Sequence, residues 1–397
     1  MRKVKLGDVV DVLDSKRVPV SAKDRANRNK VYPYYGAQGI VDYIDDYLFD
    51  GDYILVAEDG NNLKSLNEPI VTWATGKFWV NNHANILGAK KGFSLRYIFY
   101  KLLASDLRGQ ITGSTQPKLN QKNLVEVVVE IPDYEEQLNI SALLNSIDSK
   151  IDTNNKIIAE LESLARTVCD YWFTQFDFPD EHGNPYRSSG GPMVHNPILN
   201  RDIPKGWEVG QLGTVLSQRT DSVIPNENPK AVFKYYSIPD YDATGTPSFV
   251  HGRDIQSGKY RVTSDDLLLS KLNPQFPRLW DPFCESMNSV GSTEFIVLRP
   301  IRAMDKAWCW SLLNSRQFKA FMIANAVSST GSRSRIQPET VMAYSVPLPP
   351  SNLRQQYSIR VNPMVSSMKK IRQESARLAS LRDWLLPMLM NGQAVIG

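Results

Sequence analysis

The chain has 397 residues, 42% of them apolar and 22% charged, an ordinary soluble composition with length enough for two or three domains. No apolar run approaches the ~18 residues of a membrane span, and Met1-Arg2-Lys3 leads into Asp8, Asp11 and Asp14, not into the apolar core of a signal peptide. The net charge of +4 hides a division: residues 1–206 hold 24 Lys/Arg against 27 Asp/Glu, residues 207–397 hold 22 against 15, and a mildly basic second half only hints at a nucleic-acid partner.

In chain order, Val4-Lys5-Leu6-Gly7-Asp8-Val9 reads as a short apolar helix or turn. A polar, basic stretch with Lys16, Arg17, Lys23, Arg25, Arg28 and Lys30 follows, then the aromatic, Gly-punctuated run Tyr32 to Ile40. Strands are predicted at Val41 to Ile44, Tyr53 to Ala57, Ile70 to Trp73 and Asn85 to Leu87, from β-branched and aromatic residues bounded by turn formers. Glu58 to Ser65 reads as a polar loop and Ser94 to Ser105 as a helix. A second polar loop spans Thr112 to Lys118, and a strand is predicted over Val125 to Val129.

Residues 135–173 then form one long amphipathic helix, free of Pro and Gly. Leu144, Ile147, Ile151, Asn154, Ile158, Leu161, Ala165, Val168 and Trp172 recur at alternating three- and four-residue spacing, a heptad seam. At ~1.5 Å per residue it would be roughly 55–60 Å long. Counting 220 positions onward gives a second seam: Met364, Ser367, Ile371, Glu374, Leu378, Leu381, Leu385 and Met388. Even the polar interruption recurs, Asn154 falling on Glu374, and such a group serves register or orientation.

A Pro/Gly/Asn/Ser-rich connection separates the central helix from a second module. Leu212-Gly213-Thr214-Val215 parallels Leu6-Gly7-Asp8-Val9, Ser264 to Ser270 parallels Gly51 to Ala57, Thr330-Gly331-Ser332 parallels Thr112-Gly113-Ser114, and Val346 to Pro349 parallels Val129 to Pro132. The expected organisation is therefore a duplication: first module 1–134, central helix 135–178, linker 179–206, second module 207–350, distal helix 351–397. The fold class is α/β (α+β), with the two long helices pairing as an antiparallel coiled coil.

Catalytic signatures are missing. There is no dinucleotide loop or phosphate-binding P-loop. His83, His182, His195 and His251 have no metal-ligand spacing with one another or with Cys169, Cys284 and Cys309, so no metal and no disulfide framework are expected, and a cytoplasmic location fits best. Pro132-Asp133 and Asp148-Ser149-Lys150 satisfy the loose string of metal-dependent nucleases, a minor alternative because the latter lies beside the helix seam.

What remains is polar loops with chemistry suited to DNA, where amides and guanidinium groups read base edges while lysines and hydroxyls grip phosphates. The candidates in the first module are Lys23, Tyr35, Gln38, Asn61, Asn62, Lys64, Ser114, Thr115, Gln116 and Lys118. In the second they are Lys271, Asn273, Gln275, Arg278, Arg333, Ser334 and Arg335. Corresponding loops are polar in both copies while their residues differ.

The whole chain resembles the specificity subunit of type I restriction-modification enzymes. The resemblance is carried by Tyr34 to Ile40, Ile131-Pro132 with Glu135-Glu136-Gln137, the stretch Lys150 to Phe173, Pro204-x-Gly206-Trp207-Glu208, and the terminal Leu381-Arg382-Asp383-Trp384-Leu385-Leu386-Pro387-x-Leu389-Met390-Asn391-Gly392. The first module departs from it in lacking the Pro-x-Gly-Trp entry. The resemblance implies two target-recognition domains, each reading half of a bipartite double-stranded DNA target, with the helices as spacer and docking surface for two modification (methyltransferase) subunits. It places S-adenosylmethionine on those subunits, ATP and Mg on restriction (translocase/nuclease) subunits, and no cofactor on this non-catalytic chain. A stand-alone DNA-binding regulator and a scaffold that binds no DNA are the rival readings.

Overall fold

The computed structural model describes residues 1–65, 69–113, 116–284, 288–329 and 333–396. They fall into two compact units, residues 1–151 with 378–397, and residues 152–377.

In the first unit an antiparallel sheet runs in the order Val10–Val12, Ala84–Ala89, Tyr53–Ala57, Val71–Ala74. A second sheet is ordered Gly39–Ile44, Tyr32–Gly36, Lys77–Val80, Phe49–Asp50, and its pair Tyr32–Gly36 with Lys77–Val80 is parallel. The helix Leu95–Leu103 starts where the Ser94 hydroxyl accepts a hydrogen bond from the Tyr97 amide, a standard N-cap, and it buries Tyr97, Ile98, Tyr100 and Leu102 against the first sheet. Each such side chain contributes ~1.5–3 kcal/mol by leaving water.

The second unit repeats this plan. Leu216–Arg219, Phe295–Pro300, Leu267–Ser270 and Leu279–Trp280 form the antiparallel sheet. The other sheet is ordered Ser222–Val223, Lys259–Arg261, Ser289–Gly291, Val232–Tyr236, Ser248–His251, and Val232–Tyr236 again runs parallel to its partner Ser289–Gly291. A closing pair, Arg2–Lys5 with Val128–Ile131, has its counterpart in Glu208–Gln211 with Ser345–Leu348. Two modules of one topology follow each other in the chain.

Local differences from the sequence reading have local causes. Val125 belongs to a short helix, Gln121–Val125, capped by the Asn120 side chain accepting from the Asn123 amide, so the strand starts three residues later, at Val128. Asn61–Ser65 is a helical turn within the first polar loop. Residues 179–206 include a hairpin, Met193–Asn196 with Arg201–Pro204, and Phe178 stacks between Tyr186 and Trp207 with ring centroids 4.6 and 5.4 Å away.

The central helix spans Tyr134–Cys169 and ends in a wider turn over Asp170–Thr174. The Asp133 carboxylate caps it by accepting from the Glu136 amide. The distal helix spans Ser351–Met390. In the second unit Asn154 meets Glu374 and Ser375, and Trp172 packs on Tyr357, so the partner numbers fall as the central helix advances: the helices are antiparallel. In the first unit Asp148 pairs with Arg382 in the same sense. Ile147, Asn154 and Ile158 are buried in this seam, with Ile151 and Leu161 half-buried.

The distal seam sits one position further on than the 220-residue offset suggests. Leu353, Tyr357, Val361, Val365 and Met368 are buried, whereas Ser367 and Glu374 are exposed and Leu381 is 43% exposed; Ile371 and Leu378 are half-buried. Four-residue spacing from Leu353 to Val365 rotates the buried face, and Asn154 donates 2.9 Å to Glu374 Oε2 and 3.1 Å to Ser375 Oγ, straddling two adjacent positions.

Candidate nucleic-acid interface

In both modules the polar loops leave the ends of corresponding strands and are brought together by backbone hydrogen bonds. In the first module the loop after Tyr53–Ala57 is held on one side by the turn after Lys77–Val80, through Glu58 N to His83 O, 2.9 Å. On the other side the segment after Lys118 holds it through Leu119 N to Glu58 O, 2.8 Å. Asn85, buried and donating to Leu119 O, reinforces that join. Gln38, Asn61, Lys64, Gln116 and Lys118 stand exposed on these loops. Ser114 and Thr115, like Thr330 to Ser332 in the other module, lie outside the described residues.

Three first-module candidates are placed elsewhere. Asn62 is fully buried and donates to Ala37 O at 2.9 Å and Pro69 O at 3.0 Å, so it ties loops together and cannot reach a base edge. Close by, Gly60 adopts φ +117°, and a Cβ there would come 2.8 Å from the Asn62 amide oxygen. Tyr35 is buried with its ring edge-on to Phe78, next to the equally buried Tyr34, where the strand pairing shifts register. Lys23 is exposed on the short helix Ala22–Ala26, which is tied to the strand Gly39–Ile44 by Arg25–Asp42 at 2.9 Å.

In the second module the loop Lys271–Arg278 and the strand Arg333–Arg335 are laced directly. Asn273 N donates to Ser334 O at 2.8 Å, Ser334 N returns to Asn273 Oδ1 at 3.0 Å, Ile336 N reaches Lys271 O at 3.1 Å, and Ser334 Oγ contacts Gln275 Oε1 at 3.3 Å. Asn273 adopts φ +48°, a left-handed conformation that asparagine tolerates. The turn after Ser289–Gly291 joins them: Lys271 N donates to Glu294 O, and the Glu294 carboxylate holds Arg335. Gln275 and Arg333 are exposed, and Lys271, Asn273, Arg278, Ser334 and Arg335 are half-buried.

Three groups on these platforms escape a reading of the sequence. His83 Nδ1 lies 2.8 and 2.9 Å from the two oxygens of Asp59, an exposed pair at the centre of the first platform, where the sequence suggests only a fold-satisfying histidine. Phe276 is 59% exposed at the tip of the second loop. Glu294 has a carboxyl held below the usual range, chiefly by hydrogen bonds from Arg335 and further by the charges of Arg335, Lys271 and Arg333. The corresponding placement of the turns after Lys77–Val80 and Ser289–Gly291 points to His83 and Glu294.

Among the described residues no three His, Cys, Asp or Glu side chains are grouped to hold a metal ion. Asp148, the carboxylate of the nuclease-like string, accepts from Tyr100 at 2.6 Å and pairs with Arg382 at 2.9 Å within the helix packing. Burial pushes the Cys169 thiol up to about 12 and Cys309 further, leaving both inert as nucleophiles. No helix among the described residues is long and apolar enough to cross a membrane.

Comparison with known proteins agrees with this picture. Residues 1–163 match the family model for the type I restriction modification DNA specificity domain. A putative type I restriction enzyme specificity subunit of Haemophilus influenzae is 32% identical over 142 residues, covering 36% of each chain; the chain thus spans about a third of that relative. The MjaIX specificity subunit of Methanocaldococcus jannaschii is 22% identical over 393 residues, 94% of this chain and 86% of its own length. The crystal structure of a type I restriction-modification S subunit from M. genitalium has the same fold, with a TM-score of 0.63 at 15% identity over 98% of this chain and 95% of that one.

Proposed function

We propose that the chain is a type I restriction-modification specificity subunit, which selects a bipartite double-stranded DNA target and catalyses nothing itself. The observation that carries the reading is the pair of loop platforms, built on one scaffold and bearing different polar groups. Each platform reads one half-site: side chains such as Gln116 and Lys118 in the first module, Gln275, Arg333 and Arg335 in the second. Base-edge contacts specify and lysine or arginine contacts to phosphate position. S-adenosylmethionine is bound by modification subunits, and ATP and Mg by restriction subunits, in the cytoplasm.

The long helices carry the spacer and docking roles. On the central helix Ile157, Leu164 and Tyr171 are 37, 48 and 40% exposed at seven-residue intervals, an apolar row outside the seam. Such a row suits a helix face of a partner, and we assign it to the modification subunits. Trp384, 60% exposed near the end of the distal helix, extends the same kind of surface.

The experiment is methylome mapping with and without the cognate modification subunit. The chain alone with S-adenosylmethionine is expected to transfer no methyl group, and addition of the partner to produce methylation of one split motif. Methylation by the chain alone would sink the proposal. A heptad added to each helix beside Asn154 and Glu374 keeps the seam in phase and lengthens the pair by ~10 Å. With DNA rising ~3.4 Å per base pair, the gap in the motif should grow by about one to three base pairs with both half-sites unchanged. An active variant with its original gap would assign the measuring role to another element.

A further inference from the structure

The second platform holds two arginines, Arg278 and Arg335, each gripped by a carboxylate from another segment of the chain. Arg278 donates from Nε and Nη2 to the two oxygens of Asp242 at 2.6 and 2.7 Å, and from Nη1 to Phe276 O at 3.1 Å. Its side chain is 11% exposed. Arg335 donates from Nε to Glu294 Oε2 at 3.1 Å and from Nη2 to Glu294 Oε1 at 2.9 Å, and its side chain is 35% exposed.

The difference lies in what each guanidinium has left. The group is a planar fork of five N–H donors. Gripping a carboxylate through Nε and Nη2 leaves the Nη1/Nη2 edge, which points away from the acid and matches the paired acceptors O6 and N7 of guanine in the major groove. In Arg278 part of that edge already goes to the Phe276 carbonyl, closing the loop on itself. In Arg335, itself half-buried, no described residue is bonded to Nη1.

We propose that Arg335 reads a guanine in the half-site of the second module, that Glu294 is the positioning residue fixing its free edge, and that Arg278 is a structural clasp outside the readout. This rests on the reading of the chain as a DNA specificity subunit. Glu294 does not touch the base. It restricts a side chain with four rotatable torsions to one orientation, so that a wrong base meets a rigid fork instead of one that swings aside. Lys271 and Arg333 supply positive charge for flanking phosphates.

The test uses the full chain assembled with its modification subunits and scores methylation and binding across a library of single-base variants of the target. Glu294→Gln keeps the shape but weakens the grip; Arg335→Lys keeps the charge but removes the fork. Both are expected to relax discrimination at the same G·C pair about tenfold or more, leaving the other half-site and the spacing intact. The double variant should lose no more than Arg335→Lys alone, and the salt dependence of binding should be unchanged, which a general loosening of the fold would not produce. Arg278→Lys should lower the thermal midpoint without moving base preference. Intact discrimination in Glu294→Gln or Arg335→Lys, relaxation at an A·T pair, or relaxation by Arg278→Lys overturns the inference. If Glu294→Gln assembles no active complex, Arg335→Lys decides between retained and relaxed discrimination. A wild-type assembly that methylates no split motif would instead overturn the underlying reading.

Discussion

The two loop platforms rest on corresponding strands and carry different charged groups. In the first module Glu58 and Asp59 stand at the join, answered by Arg17, at 3.1 Å from Glu58, and by His83. In the second, Lys271, Arg333 and Arg335 act on the Glu294 carboxylate, and Arg278 pairs with Asp242. The strand ends are buried and their order is set by the core, so the backbone positions of the loops are shared. Their outward side chains meet only solvent and each other and are free to differ. One scaffold can therefore present two unrelated chemical faces, which is what reading two different half-sites requires.

The largest expected effect comes from removing the scaffold under one face alone. Asp281, 6% exposed, pairs with Lys306 at 2.7 Å and with Lys369 of the distal helix at 2.6 Å, joining the second module to its helix. The first module braces its helices differently, with Lys101 donating to the Met390 carbonyl at 2.6 Å and with the Tyr100–Asp148–Arg382 cluster. Asp281→Ala leaves two poorly solvated ammonium groups facing each other and should cost about 3 kcal/mol. Calorimetry should show a transition belonging to the second module moving down while that of the first is retained; a uniform shift of the whole chain would show that the modules do not melt independently.

A smaller break falls on the first face. Asn62→Ala deletes both N–H groups that tie the loop to Ala37 and Pro69, removing two part-buried hydrogen bonds at about 1–3 kcal/mol. Recognition of the first half-site should weaken while the second half-site is read as before, and methylome mapping checks both at once. Loss at both half-sites would tie the loop to more than its own platform.

The smallest effect sharpens the electrostatic contrast. Glu294 has its carboxyl lowered in the fold, first by hydrogen bonding from Arg335, so it binds a proton less readily than in the unfolded chain. Its contact stabilises the fold fully above the unfolded carboxyl value of about 4.3, and the contribution is lost as pH falls through the lowered native value. With both side chains about a third exposed, the contribution is below ~1 kcal/mol. Thermal midpoints of wild type and Glu294→Gln should differ above about pH 4.3 and converge in stronger acid; a constant gap across that range would remove the carboxylate from the stabilising contact.

Much of this molecule is legible in the chain itself. The heptad run through Ile147, Asn154 and Ile158 sets a long helix because its period is local, and the echoes of Leu6 to Val9 in Leu212 to Val215 and of Gly51 to Ala57 in Ser264 to Ser270 announce two modules. The polar character of the loops after those strands is equally local. What only the tertiary structure decided is which side of each polar stretch faces water. Asn62 turns inward because Ala37 and Pro69 present carbonyls there. The distal seam moves by one residue, so that Asn154 straddles Glu374 and Ser375. Arg335 and Arg278 are gripped alike by carboxylates 41 and 36 positions away, and the Phe276 carbonyl on Arg278 Nη1 is what makes their remaining edges differ. Periodicity records the neighbours a residue has along the chain; the partners that orient a buried amide or a guanidinium come from elsewhere in it, and only folding brings them within hydrogen-bonding distance.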